Sequence, residues 1–432
     1  MENVGAEASA VLVTGKPERL WNRNFALLWQ GQLVSSLGKQ AFAVMAMLWL
    51  KDVTGSGSIM GLVMMAAMLP PVLLGPVAGV FVDRWDRRKI IAYTDIAGGL
   101  VVLAAALLFF LLPGVRGLLI GAVFAVTLAT GLLDTFSQPS ISSSVPLLVP
   151  KEKLEAANSL NMSGVQLAVF GAQGSSGLLY TILGAPLLIL WNAVTYLYAG
   201  ITELFMRIPR KVRTSEQKER EKLHPWHRFR LEFAEGLRYL RGERGLLTLV
   251  LVYAVLNFLI SPVLVTLPFF ATDFLGLGAA WYGYLMAAFG LGAVLGYIVA
   301  GAFPTRGRAR ELAVNASLAV QTVLTLVALV FKAPAAELAI FLVIGLTGGV
   351  MNVNINTLIQ LSVPPDYMGR VQGIMTTICA GAMPLGMALS GFLFDLSGQD
   401  VSLMFIVSGV ASLVAVVAAL MVKDYRKYLA SK

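Results

Sequence analysis

The chain has 432 residues, 57% hydrophobic and 13% charged, with a formal net charge of +9. Soluble domains carry about 25% charged residues, so this composition excludes an ordinary soluble protein and points to a membrane. The positive charge does not indicate nucleic acid, because the basic residues lie in short loops between apolar runs rather than beside aromatics on one soluble face. With Cys379 the only cysteine, no internal disulfide and no cysteine-based metal cluster can form.

Taken in chain order, the first 24 residues mix Glu2, Glu7, Lys16, Glu18, Arg19 and Arg23 with only a brief apolar patch. That pattern does not fit a cleaved signal peptide, so the first span is expected to serve as the insertion signal. Crossing a hydrocarbon core of about 30 Å takes roughly 20 apolar residues in a helix. Twelve such runs occur, at about 25–50, 58–82, 90–112, 117–141, 158–183, 186–206, 246–271, 281–303, 311–331, 337–360, 371–395 and 401–422. The fifth and sixth are separated by a short turn near "LGAP". The long polar segment from Arg207 to Gly245 divides the runs into two sets of six, giving an expected all-α membrane protein of two six-helix bundles, 25–206 and 246–422. Tails at 1–24 and 423–432 and a central loop at 207–245 complete it.

Orientation follows from the basic residues of the loops. With the N-terminus inside, 29 of the 33 Lys and Arg fall on the inner side. Only Lys51, Arg116 and Lys332 lie on the other side and Lys39 lies within a span, so both termini are expected in the cytoplasm. The halves also resemble each other, as in transporters built from repeated bundles. "GVFVDRWDRRK" at 79–89 aligns with "GAFPTRGRARE" at 301–311, placing Asp83 opposite Thr305. "VPKEKLEAAN" at 149–158 aligns with "VPPDYMGRVQ" at 363–372.

The loop after the second span carries Gly79, Asp83, Arg84, Arg87, Arg88 and Lys89. It resembles the "GxxxDRxGRRK" signature of the major facilitator superfamily, with Asp86 in place of the second glycine, and the resemblance covers nearly the whole chain. "NRNFALLWQGQLVSSLG" at 22–38, "LPPVLLGPVAG" at 69–79 and "VPKEKLEAANSL" at 149–160 are more narrowly similar to a branch of drug–proton antiporters that includes enterobactin exporters and macrolide efflux proteins. The resemblance implies a rocker-switch fold, a central cavity lined mainly by helices 1, 4, 7 and 10, and export coupled to protons. For Arg84, Arg87, Arg88 and Lys89 the plainer account is orientation in the membrane. Asp83 calls for more: at the end of helix 2 it can face the N-terminus of a helix of the other half, by analogy helix 11, and so bias a two-state equilibrium.

Each of the four cavity helices has a polar stripe at helical spacing. Helix 1 has Gln32, Ser35, Ser36 and Lys39; helix 4 has Thr127, Thr130, Asp134, Ser137 and Gln138; helix 7 has Tyr253, Asn257 and Ser261; helix 10 has Asn352, Asn356 and Gln360. Singly, such groups often do no more than bond between packed helices, at about 1 kcal/mol each. Ionisable residues inside a span are functional candidates by default, and Lys39 and Asp134 are the deep ones. Asp95 and Glu203 are expected near inner helix ends, in solvent or against loop cations, and Asp273 and Glu337 at outer ends. Related exporters often carry an acid where this chain has Lys39, and the chain lacks the helix 4 arginine of many drug–proton antiporters, with Asp134 on that helix instead. The helical rise puts Lys39 about 16 Å below Leu50 and Asp134 about 25 Å below the start of helix 4, leaving a salt bridge, a water-linked pair and two separate sites all open. If they pair, protonating Asp134 would release Lys39 and supply the coupling.

His224 and His227 both lie in the central loop, so no imidazole relay is expected inside the membrane, and two ligands do not make a metal site. Six methionines, Met45, Met47, Met60, Met64, Met65 and Met68, could form an adaptable apolar surface but more commonly pack. No "GxxxxGK[ST]" phosphate loop is present, which disfavours an ATP-driven pump, and no nucleophile, base and orienting group fall together as an enzyme needs. The expectation is a monomeric secondary transporter without cofactor, exporting a small lipophilic or amphiphilic molecule of drug, macrolide or siderophore type. A lysolipid flippase, with Lys39 meeting a phosphate headgroup, and a non-transporting sensor of the same fold are the alternatives.

Overall fold

The computed structural model describes residues 19–208 and 225–431; the side chains of Asp83, Arg84 and Asp366, the glycine at 79 and His224 and His227 are among those outside the description. Among the described residues all regular structure is helical, and ten helices are long and apolar enough to cross a membrane. In the first half these begin with α1 (Arg23–Thr54), whose N-terminus is capped by Asn22 accepting from the Asn24 and Phe25 amides, and which ends on Gly55 at φ 59°. The left-handed conformation closes the helix where a Cβ would be strained. Then follow α2 (Gly57–Arg84), capped by Ser56, and α3 (Arg87–Leu111), capped by Asp86 accepting from the Arg88 and Lys89 amides. The acid that departs from the signature thus has a local duty, satisfying two orphan amides at a helix start.

Next come α4 (Arg116–Leu148) and α5 (Leu154–Glu203). α5 contains one non-helical residue, Gly184 at φ 75° and ψ 172°, in the "LGAP" segment where the sequence places a turn. Contacts with α1 show that the chain reverses there. In the first limb Leu160, Gln173 and Tyr180 meet Trp29, Gln40 and Asp52, running with α1. In the second limb Tyr196 and Glu203 meet Lys39 and Gln32, running against it.

The second half opens with α6 (Pro225–Gly242), α7 (Arg244–Leu259), α8 (Ser261–Phe269) and a π turn at Phe270–Phe274. It continues through α9 (Ala280–Ala302), α10 (Gly307–Val327) and α11 (Pro334–Ser362). It closes with α12 (Pro365–Met375), a π turn at Thr376–Ala380, α13 (Gly381–Leu396), α14 (Val401–Met421) and α15 (Lys423–Leu429). α6 and α15 lie in segments expected to be loop and tail. Each buries an apolar edge on the bundle: Leu240 and Tyr425 have no accessible surface, and the Tyr239 ring stacks on Tyr367 at 4.8 Å.

The apolar interior is unevenly shared. At the end holding Trp49, Leu50 and Leu267, one cluster joins both halves, with Val102, Val123 and Ile189 alongside Phe270, Phe341 and Phe394. At the end nearer the chain termini there are two clusters, one around Phe25, Ile91, Leu148 and Met206 and one around Leu246, Val314, Ile359 and Tyr425. The halves are fused at one end and built around separate cores at the other. Met45, Met47 and Met60 sit in the shared core, so these methionines pack.

Candidate functional site

Lys39 lies on the α1 face that meets α4 and the second limb of α5. Its Nζ stands 2.6 Å from Asp134 Oδ1 and 4.8 Å from the centroid of the Tyr196 ring. Of the three arrangements the sequence leaves open, the structure has the direct ion pair. The depth gap closes because α1 runs on to Thr54 rather than Leu50, which reduces it to about 5 Å, within reach of a lysine stem. The two side chains retain 19% and 30% of their accessible surface, so the pair is reachable by water.

Glycines set how closely the helices approach here. A Cβ on Gly38 would collide with the Thr195 hydroxyl, and one on Gly98 would press on the Tyr196 ring at 3.1 Å. Behind the pair lie two further acids. Asp95 and Glu203 are 1% and 0% accessible, which corrects the expectation that solvent or loop cations hold them. The cause is local: Gly31 leaves a space, its absent Cβ falling 2.8 Å from Glu203 Oε1, and the carboxyl folds inward to accept from Gln32 Nε2 at 3.0 Å. Asp95 Oδ2 and Glu203 Oε2 have no hydrogen-bond partner among the described residues. Asp95 also lies within Coulombic reach of both Lys39 and Asp134. Four ionisable side chains and the Tyr196 phenol therefore share one compartment of the first half, where the low dielectric makes every unpaired polar atom costly.

The other predicted cavity residues separate into groups. Gln32 belongs to the cluster, with the buried Ser35 hydroxyl donating to its carbonyl at 3.4 Å, and Ser36 is half-buried beside it. Thr130 spends its hydroxyl on the Val126 carbonyl at 2.8 Å, and Thr127 does the same with Val123. Gln138 is exposed at the lower part of α4, as is Gln360 on α11. Asn356 Nδ2 donates to Asn352 Oδ1 at 2.9 Å, while Asn257 and Asn352 both line a cavity of the second half. The structure thus joins the stripes of helices 1 and 4 through Lys39 and Asp134 and brings Asn257 of helix 7 and Asn352 of helix 10 to one cavity.

Of the signature loop, Arg87 Nη1 reaches the Ser143 carbonyl at 3.5 Å, tying α3 to α4, while Arg88 places its Nε in a buried position. Gly79 and Arg84, and Asp83, for which a contact with helix 11 is expected, fall outside the description. At the other end of the same two helices a contact of that kind is present. Asp395, near the end of α13, accepts from Ser56 Oγ at 2.7 Å, the Gly57 amide at 2.7 Å and the Ser58 amide at 2.9 Å, which are the first donors of α2. Nothing in the sequence alone singles out Asp395, because its partners, a serine hydroxyl and two backbone amides, lie nearly 340 residues away. Lys51 pairs with Asp273 at 2.8 Å and Gln399 Nε2 bonds the Gly55 carbonyl at 2.6 Å, both across the halves at this end.

Comparison with known proteins agrees with this architecture. Residues 17–428 match the family model described as transmembrane secretion effector. The chain is 27% identical over 412 residues to macrolide efflux protein A of Streptococcus pyogenes, covering 94% of this chain and 98% of that protein. It is 26% identical over 354 residues to the multidrug efflux pump Tap of Mycolicibacterium fortuitum, covering 80% and 82%. In fold it is similar to a bacterial homologue of the iron transporter ferroportin in its inward-facing state, with a TM-score of 0.71 at 16% identity over 94% of this chain and 98% of that one. A match across almost the whole chain, on a helical bundle of this form, makes the protein a multi-pass cell-membrane transporter, not an enzyme, and a member of the transmembrane secretion effector family of the major facilitator superfamily.

Proposed function

We propose that the protein exports a small lipophilic or amphiphilic molecule by alternating access, coupled to protons at the Lys39–Asp134 pair. The observation that carries this is the 2.6 Å ion pair between α1 and α4, partly open to water and backed by two buried acids. Protonation of Asp134 removes the partner charge and frees Lys39, so a proton changes the contact between two helices of the first half. The relatives named as macrolide and multidrug efflux proteins support a drug-like cargo.

The same reading takes the chain as twelve spans in two bundles of six, 25–206 and 246–422, with both termini cytoplasmic. Division of α5 at Gly184 and the addition of α10 to the ten apolar helices support that number. The shared core then marks the outer end, closed by Asp395 on α2 and by Lys51 on Asp273, and the separate cores mark the inner end. Gln32, Ser36, Thr130, Gln138, Asn356 and Gln360 would face the path between the halves, Asn257 and Asn352 would serve the substrate from the cavity of the second half, and the Gly79, Asp83, Arg84, Arg87 and Arg88 loop would control the inner mouth. The protein would work as a monomer among membrane lipids.

The test is the pH dependence of substrate efflux in proteoliposomes for wild type, Lys39→Ala and Asp134→Asn. Both variants are expected to flatten the profile; profiles identical to wild type in both would exclude the pair from coupling.

A further inference from the structure

The second half holds a cavity of about 460 Å³ between α7, α8, α9, α10, α11, α13 and α14, within the range of about 300–1,000 Å³ typical of small-molecule sites. Among the described residues its lining comes wholly from the second half, from Tyr253 to Ser412, and includes no Asp, Glu, Lys, Arg or His. The walls are Leu, Ile, Val, Met and Phe, interrupted by the amides of Asn257, Gln321 and Asn352 and the phenols of Tyr253 and Tyr297. Three hydroxyls in the wall are already engaged: Thr322 and Thr325 bond carbonyls of their own helix at 2.9 Å, and Ser408 bonds the Leu259 carbonyl at 2.6 Å. The Ser412 hydroxyl, the amides and the phenols are what remains to meet a ligand.

One glycine shows that the space is not a by-product of tight helix packing. On α11, a Cβ at Gly345 or Gly349 would strike a carbonyl of α9 at 1.8 or 2.3 Å, so those two glycines bring the helices together. Gly348, between them in sequence, faces the cavity, and its absent Cβ has only Gln321 Oε1 nearby, at 4.0 Å. Packing does not require a glycine there, and any larger residue would take volume from the cavity.

We infer that the second half holds, entirely within itself, a binding site for an uncharged, drug-sized amphiphile with an apolar body and hydrogen-bonding groups, physically separate from the ionic cluster of the first half. A permanent charge would be stripped of water without a counter-charge, which such a wall cannot compensate. The inference deepens the transporter reading by assigning cargo and coupling to different halves, but binding at the site does not depend on transport.

The experiment is saturation binding of tritiated progesterone, a neutral steroid with a carbonyl at each end, to the full-length protein in nanodiscs. Saturable binding at one site per chain is expected, undiminished by excess tetraphenylphosphonium. Gly348→Leu should weaken it about tenfold or more and Asn257→Leu severalfold, each with an unfolding temperature near that of wild type. Gly117→Leu, an equal addition where a Cβ meets nothing within 4 Å, should leave it unchanged. Absence of saturable binding, competition by the cation, or full affinity in Asn257→Leu together with a folded Gly348→Leu would overturn the site. If Gly348→Leu does not fold, Asn257→Leu, which nearly preserves volume, decides alone. Binding that persists in a protein showing no proton-driven efflux would sink the transport reading and leave this site standing.

Discussion

Glu203 has no accessible surface, one oxygen bonded to Gln32 and the other unpartnered among the described residues. Glu203→Gln keeps the shape and an acceptor for Gln32 Nε2, so it is expected to fold with wild-type stability while altering the pH dependence of efflux. Glu203→Ala leaves that donor and a cavity behind, and should cost about 1–3 kcal/mol in detergent unfolding measurements. Equal stability of the two variants would show that the Gln32 bond contributes nothing. Glu337 gives the opposite case: it is wholly buried and neither carboxyl oxygen has a partner among the described residues. Glu337→Met should therefore raise the unfolding temperature, and a fall would mean that the carboxyl is held by something other than its protein neighbours. At this scale the sequence was informative for Lys39 and Asp134, since a charge in an apolar span must find a partner. It was misleading for Asp95 and Glu203, because position along a helix says nothing about a neighbouring glycine such as Gly31 that makes room for a carboxyl.

Among the elements, α2 and α13 form a close seam across the halves. A Cβ on Gly391 would fall 2.1 Å from the Gly57 carbonyl and one on Gly61 2.3 Å from that of Met387, so the helices touch backbone to backbone. Asp395 then accepts three bonds from the start of α2, where the helix dipole also favours an anion. Asp395→Ala should loosen this end, and a cysteine placed at Met60, a residue with no accessible surface, should label several times faster with a maleimide as a result. Labelling at the unmodified rate would mean that the glycine seam alone holds the end closed. Most elements were legible from apolar length bounded by charge, and the turn at "LGAP" from its glycine and proline. α6 and α15 were not, because their helicity depends on burying one edge on the bundle rather than on a span of apolar residues. The π turn at Phe270–Phe274 follows Pro268 at a ring stack of Phe270 on Phe405, a tertiary contact that no local pattern announces.

For the whole molecule, composition and loop charge were enough for the class, whereas the conformation was beyond reach, since one sequence serves every state of a cycle. The halves share a core at one end only, and a transporter that alternates must break it. Cysteines replacing Lys51 and Asp273, whose charged atoms lie 2.8 Å apart across the halves, can be joined by a short cleavable bis-maleimide. Cross-linking is expected to abolish efflux and cleavage to restore it; undiminished efflux by the linked protein would show that this end does not open. The native Cys379 is buried and leaves the reaction undisturbed.

The uneven placement of charge has an electrical consequence. Lys39 and Asp134 together carry no net charge while paired, so a membrane voltage exerts little force on that pair as it moves. A proton on Asp134 would leave the pair itself with one positive charge, and a full crossing by such a charge is worth about 2.3 kcal/mol per 100 mV. The field would then pull on the α1–α4 contact in its protonated state and not in its paired one, so voltage would favour one of the two states.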